Sequence, residues 1–127
     1  KELLEKFGLS KYMNTYPHEL SGGQKQRVAL LRSIMIKPKI LLLDEITSSL
    51  DPELTKSVLD LVKELAQEGY TMLLVTHHIS FAKSIADKVL FLKQGKVLVY
   101  EDAKEFFNSQ SNTEIQSFIS DIAHKYD

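Results

Sequence analysis

Asp44-Glu45, His77 and the run Leu20-Ser21-Gly22-Gly23-Gln24 are the residues whose types and spacing could do chemistry. The two carboxylates follow four aliphatic residues, Ile40 to Leu43. A carboxylate at such a strand end can hold Mg²⁺ through water, because Mg²⁺ takes one or two carboxylates and keeps several waters. Its neighbour can polarise an attacking water. A polar strand end entering a loop is the plain alternative. His77 opens the pair His77-His78. It can hydrogen-bond a phosphate oxygen or serve as an ordinary loop histidine. A metal site is disfavoured, because adjacent side chains point in different directions and no third ligand has a helpful spacing.

The glycine pair Gly22-Gly23 stands directly before a strongly helical segment. Glycine in a helix costs about 1 kcal/mol relative to alanine, so the helix gains nothing from it. Bare backbone N–H groups at the positive end of a helix dipole suit a phosphate. The plain alternative is a capping box, in which Ser21 caps and Gln24 reaches back. That box accounts for Ser21 and Gln24 but not for the glycines. Asp51 before Pro52 reads as a helix cap on any account. Arg27, Arg32 and the lysines form no patch and read as solvated faces.

The elements that must position these residues follow from patterning. Residues 2–7 read as a short helix closed by Gly8, and residues 9–20 as irregular chain broken by Pro17. Residues 22–36 read as a helix with Val28, Leu31 and Met35 on one face and Leu30 and Ile34 beside them. Lys37-Pro38 stops it. The unalternating run 40–43 reads as a strand buried on both faces, as in a parallel sheet. A helix then runs from Pro52 with the stripe Leu54, Val58, Leu61 and Leu65, and Gly69 closes it. Residues 71–75 read as a second buried strand, 79–86 as a short helix, and 88–92 and 96–100 as a hairpin turning at Lys93-Gln94-Gly95. Thr113-x-x-Gln116 is a capping box opening a final helix, whose stripe of Ile115, Phe118, Ile119 and Ile122 should dock on the rest of the protein. Alternating strands and helices predict an α/β fold with a mostly parallel sheet, in which ligands sit at the carboxyl ends of the strands. Asp44-Glu45 and Thr76-His77-His78 occupy those ends.

Bulk properties bound the rest. The 127 residues suffice for one domain with a real core. A net charge of −1 gives no sign of nucleic-acid or membrane-surface binding. The absence of cysteine excludes disulfides, thiolate metal sites and cysteine nucleophiles. No apolar run approaches the ~20 residues of a membrane-spanning helix. The first residue is Lys1, inside a helical charge pattern, and the chain is read as a piece of a longer protein.

Taken in order, these residues resemble the ATP-binding cassette (ABC) ATPases. Leu20-Ser21-Gly22-Gly23-Gln24 matches the signature motif in full. Ile40 to Asp44 followed by Glu45 looks like the Walker B strand with its catalytic glutamate, Ser49-Leu50-Asp51 like the D-loop, and His77 like the switch histidine. Tyr16-Pro17-His18-Glu19, Asp51-Pro52-Glu53-Leu54 and Glu105-Phe106-Phe107 look like the branch that powers uptake of polar amino acids. Two positions depart from that branch: Ile46 stands where it usually has Pro, and His78 where it usually has Glu. No pair among the five glycines has the spacing of a phosphate-binding P-loop. The family's Gln-containing loop and adenine-stacking aromatic, which lie upstream, are absent as well.

The resemblance implies the C-terminal portion of one ABC ATPase domain over 1–127. Residues 1–36 would be its signature-bearing helical part, 37–108 an α/β core part with a partial P-loop NTPase-type sheet, and 109–127 a C-terminal helix. It implies catalytic roles for Glu45 and His77, Mg²⁺ held by Asp44, and ATP contacted by Ser21, Gly22, Gly23 and Gln24. Asp51 would contact a facing module. The implied partners are a second ATPase subunit, most simply in a homodimer, and a transporter membrane subunit, at the cytoplasmic face of the cell membrane. Neither nucleic acid nor direct membrane insertion is implied. Without a P-loop the chain alone is expected to bind ATP weakly or not at all and to be inactive. A strand cut from its sheet neighbours is expected to expose an apolar patch and drive self-association. Two other readings are a non-catalytic regulatory module of the same fold and a DNA-maintenance ATPase of the same superfamily. No sustained heptads support the latter.

Overall fold

A computed structural model describes residues 1–108 and 113–126. The backbone forms two compact units, residues 1–75 and 76–127.

The first unit opens with helix α1 (Glu2–Lys6), which ends where Gly8 takes a left-handed φ of 67°. A left-handed residue just past a helix is glycine's ordinary place. Phe7 and Leu9 are buried beyond it. Two 3₁₀ turns, Ser10–Tyr12 and Pro17–Glu19, lead to buried Leu20. Helix α2 (Gly22–Met35) buries Gly23, Leu30, Leu31 and Ile34. The face expected from Val28, Leu31 and Met35 is therefore corrected: Met35 is 65% exposed and Val28 only half-buried. Apolar residues surround the C-terminal turns of α2, so periodicity alone leaves its rotation open. The close seat of Gly23, described below, sets it.

Strands β1 (Leu41–Asp44) and β2 (Met72–Val75) pair in parallel, Leu41 opposite Met72 and Asp44 opposite Val75. The crossover is helix α3 (Pro52–Gln67), which buries Val58, Leu61, Val62 and Leu65. Gly69, at φ 84°, turns the chain back toward β2. The aliphatic run was expected to be buried on both faces, and that is corrected too. Leu41 and Leu43 are buried, but Leu42 is 74% exposed and Leu73 57%. This two-stranded sheet covers one face only, and strand pleating sends alternate residues to the other.

In the second unit helix α4 (Ile79–Ile85) precedes strands β3 (Lys88–Lys93) and β4 (Lys96–Asp102). The two strands form the expected hairpin. Among the described residues β3 pairs only with β4, antiparallel. Gln94 and Gly95 both take positive φ, as a two-residue turn matched to strand twist requires. Helix α5 (Ala103–Asn108), which patterning did not single out, follows at once. Helix α6 (Thr113–Tyr126) closes the chain. Phe91, Phe106 and Ile115 form a buried cluster flanked by Val89, Val99, Phe107 and Ile119. Phe118 meets Phe91 edge-on at 4.9 Å between ring centres. The stripe of the last helix thus docks as expected through Ile115, Phe118 and Ile119, while the side chains of Ile122 and Thr113 lie outside the described residues. Among the described residues no helix is long and apolar enough to cross a membrane.

Candidate phosphate and carboxylate site

The start of α2 is a capping box. Gln24 N–H donates to Ser21 Oγ at 3.4 Å, and Ser21 N–H donates to Gln24 Oε1 at 2.9 Å. Lys25 N–H donates to the Ser21 carbonyl, beginning the helical ladder. Ser21 and Gly22 are exposed at this helix end, and Gly23 is buried. Just upstream, Tyr16 N–H donates to Glu19 Oε2 at 2.8 Å, and the Tyr16 and His18 rings stack 5.8 Å apart.

The glycines meet the start of α3. A Cβ on Gly23 would lie 2.9 Å from both Cβ and Cδ2 of Leu54. A Cβ on Gly22 would lie 3.2 Å from Leu50 Cδ2. Close packing therefore accounts for the residue type at Gly23, a reading that patterning did not reach, while at Gly22 the flexible end of Leu50 would need to give only slightly. Leu54 belonged to the expected stripe of α3, and nothing in sequence spacing pairs it with Gly23. Asp51 caps α3 as expected: Leu54 N–H donates to its Oδ1 at 2.9 Å.

Asp44 and Glu45 stand exposed at the carboxyl end of β1. Glu45 N–H donates to the Val75 carbonyl at 3.0 Å, extending the ladder one residue beyond the strand. Glu45 has a left-handed φ of 40°, uncommon for a residue with a Cβ. A tight turn follows, in which Ser48 N–H donates to the Glu45 carbonyl and Leu50 N–H to the Thr47 carbonyl. Thr47 is buried in that turn. Gln26, one turn along α2, donates from Nε2 to the Ile46 carbonyl at 2.9 Å. Arg27, read from the sequence as part of a solvated face, is corrected: it is half-buried and donates to the Phe7 carbonyl at 3.1 Å, closing the end of α1.

The first unit thus brings together the signature run, the D-loop run and the turn after β1. His77 belongs to the second unit. Its half-buried ring lies 4.6 Å from that of His78, tilted by 38°. Thr76 Oγ1 accepts from His78 N–H at 3.0 Å, fixing the entry to α4. No three His, Cys, Asp or Glu side chains gather as a metal-ligating group among the described residues. The charge pair Lys88 and Asp102 joins the open end of the hairpin at 3.1 Å. Its hydrogen bond and the attraction of the carboxylate raise the Lys88 pKa.

This geometry is a parallel βαβ unit whose helix starts carry Ser21 to Gln24 and Asp51 and whose first strand ends at Asp44-Glu45. Residues 1–48 match the family model described as ABC transporter. A solved nucleotide-free ATP-binding cassette from an ABC transporter matches with a TM-score of 0.76 and 26% identity, over 91% of this chain and 46% of that one. The ADP conformation of another ABC transporter cassette matches with a TM-score of 0.73 and 26% identity, over 91% and 47%. Over 91% of its length the chain is thus similar in fold to about half of such a cassette, and its residues 1–48 match the family's sequence.

The relatives narrow the resemblance to one branch. The arginine transport ATP-binding protein ArtM of Bacillus subtilis is 49% identical over 122 residues, 96% of this chain and 51% of the relative. The glutamine transport ATP-binding protein GlnQ of Geobacillus stearothermophilus is 49% identical over 119 residues, 94% and 49%. The glutamate/aspartate import ATP-binding protein GltL of Escherichia coli K12 is 43% identical over 123 residues, 97% and 51%. The chain spans about half the length of these relatives.

Proposed function

We propose that this chain is the signature-bearing, C-terminal portion of the ATP-hydrolysing subunit of an ABC transporter that imports polar amino acids. The single observation that carries the reading is the ordered set of Ser21 to Gln24, Asp44-Glu45, Asp51 and His77 on a cassette fold whose relatives are named for transport of arginine, glutamine and glutamate/aspartate.

Phosphoryl transfer depends mostly on positioning and electrostatics. In this reading the exposed start of α2 meets the γ-phosphate of ATP held by a second subunit, because helix-start N–H groups favour negative charge. Ser21 and Gln24 add their side chains to that contact. Glu45 orients or deprotonates the attacking water. His77 hydrogen-bonds the γ-phosphate and the charge that develops on it. Asp51 reaches the facing subunit. Asp44 is an exposed carboxylate at a strand end, the hard oxygen donor Mg²⁺ prefers, and would hold the ion through water. When bound, Mg²⁺ neutralises charge on the nucleotide phosphates. The partners in this reading are a like subunit and a transporter membrane subunit, at the cytoplasmic face of the membrane. The 127 residues contain no P-loop, so by themselves they bind MgATP weakly and do not turn it over.

The test is reconstitution of the full-length protein with its membrane subunit in vesicles. ATP-dependent uptake of arginine, glutamine or glutamate is expected. ATP hydrolysis without uptake of any polar amino acid would reject the substrate class. Absence of hydrolysis by the assembled protein would reject the enzyme. A separate titration of the 127-residue chain should show no micromolar MgATP binding.

A further inference from the structure

We propose that Gln26 is a positioning residue for Glu45, tying the helix that carries the signature run to the turn that presents the hydrolytic carboxylate. This rests on the ATPase reading above and adds to it a residue outside every motif that led to that reading.

Glu45 sits in a backbone conformation it does not favour, at φ 40°. A left-handed non-glycine residue costs on the order of 1–3 kcal/mol and persists only where its surroundings over-determine it. On the strand side the Glu45 N–H is bonded to Val75 and its carbonyl to Ser48 N–H. Those bonds fix Glu45 relative to the sheet. They do not fix the turn relative to α2.

Three contacts do. Gly22 lies under Leu50, Gly23 under Leu54, and Gln26 Nε2 donates to the carbonyl of Ile46, the residue next to Glu45. The two glycine contacts are apolar, non-directional and several residues from the carboxylate. The Gln26 bond is directional, 2.9 Å long, half-buried and one peptide from Glu45. Its donor stands in the second turn of a 14-residue helix, a rigid support. Carbonyl capture by a side-chain amide orients the Ile46–Thr47 peptide, one peptide beyond Glu45, and so anchors to α2 the turn that holds Glu45 in its left-handed conformation. A glutamate at 26 would have nearly the same shape but place a carboxylate against the carbonyl and offer no donor. Placement at this precision matters, since shifts of about 1 Å can cost of the order of a hundredfold in rate.

The experiment compares Gln26→Glu, Gln26→Lys and Glu45→Gln in the full-length assembled protein, by steady-state MgATP hydrolysis and by hydrogen exchange of backbone amides. Gln26→Glu should lower kcat about tenfold while leaving the KM for MgATP within about twofold, as expected of a shift in a catalytic group and not in the binding of nucleotide. Amides of residues 45–50 should exchange faster, with α3 unchanged. Gln26→Lys, which keeps a donor, should recover most of kcat and the slow exchange. Unchanged kcat and unchanged exchange in Gln26→Glu would overturn the proposal. So would a uniform rise in exchange throughout the chain, the mark of lost global stability. Undiminished hydrolysis by Glu45→Gln would reject the ATPase reading itself, a failure distinct from that of the tether.

Discussion

Two helices in the first unit begin almost identically, and the difference between them is instructive. Ser21 before α2 has φ −65° and ψ 165°, and Asp51 before α3 has φ −67° and ψ 166°. Each side chain accepts a hydrogen bond from the backbone N–H three residues on. After the cap they diverge. α3 continues with Pro52 and Glu53, whose fixed φ and negative charge both suit a helix start. α2 continues with Gly22-Gly23, which do neither. A helix start of this geometry is thus made well without glycine, so the glycines answer a demand from outside α2. The structure supplies one such demand in Leu54, which leaves no room for a Cβ at Gly23. The proposed phosphate contact supplies a second, and the two are compatible: Gly23 is buried against α3 while Ser21 and Gly22 face solvent.

Substitutions at the two starts break or sharpen this contrast. Gly23→Val should destabilise the protein by about 3 kcal/mol in urea unfolding, because the new branches meet Leu54 where its Cβ cannot move aside. Unchanged stability would remove close packing as the reason for the glycine. Gly22→Ala should cost less, about 1 kcal/mol or under, because its neighbour is the end of a flexible side chain. The caps come next. Asp51→Ala should cost about 1 kcal/mol, and Ser21→Ala less, given the longer bond of the serine. Equal or reversed losses would mean that the two caps are not ranked by their geometry.

The smallest effect lies in the second unit and serves as a control distant in kind from both starts. Pairing with Asp102 raises the Lys88 pKa above the ordinary lysine value of 10.5. A raised pKa means that the folded protein holds this proton more tightly than the unfolded chain. The contribution is therefore fully present below pH 10.5 and fades as pH climbs through the higher folded value. Both side chains are exposed, so the contribution is small. Denaturation midpoints of Lys88→Met and the parent should converge above that range, and a gap that widens there would refute the pairing.

Much of the fold was legible in the sequence because its signals are local. Caps at Ser21 and Asp51, breakers at Gly8 and Gly69, and the hairpin turn at Gln94-Gly95 each depend on a few neighbouring residues. The candidate site was legible because its residues stand at strand and helix ends that such signals mark. What escaped depends on contacts between distant segments. The rotation of α2 was misjudged because Gly23 against Leu54 decides it, and neither residue announces the other. The one-sided burial of β1 was missed because Leu42 is as apolar as Leu41 and Leu43, and only the width of the sheet separates them. Gln26 carried no signal at all, since a glutamine on a helix gives no hint of a carbonyl twenty residues away.

The central proposal is that this chain carries the hydrolytic carboxylate of an ATP-driven transporter subunit. Steady-state MgATP hydrolysis by the full-length assembled protein bearing Glu45→Gln tests it most directly. The account predicts a fall in kcat of about a hundredfold or more with ATP still bound, the range expected for loss of a general base. Hydrolysis at the parent rate would contradict it.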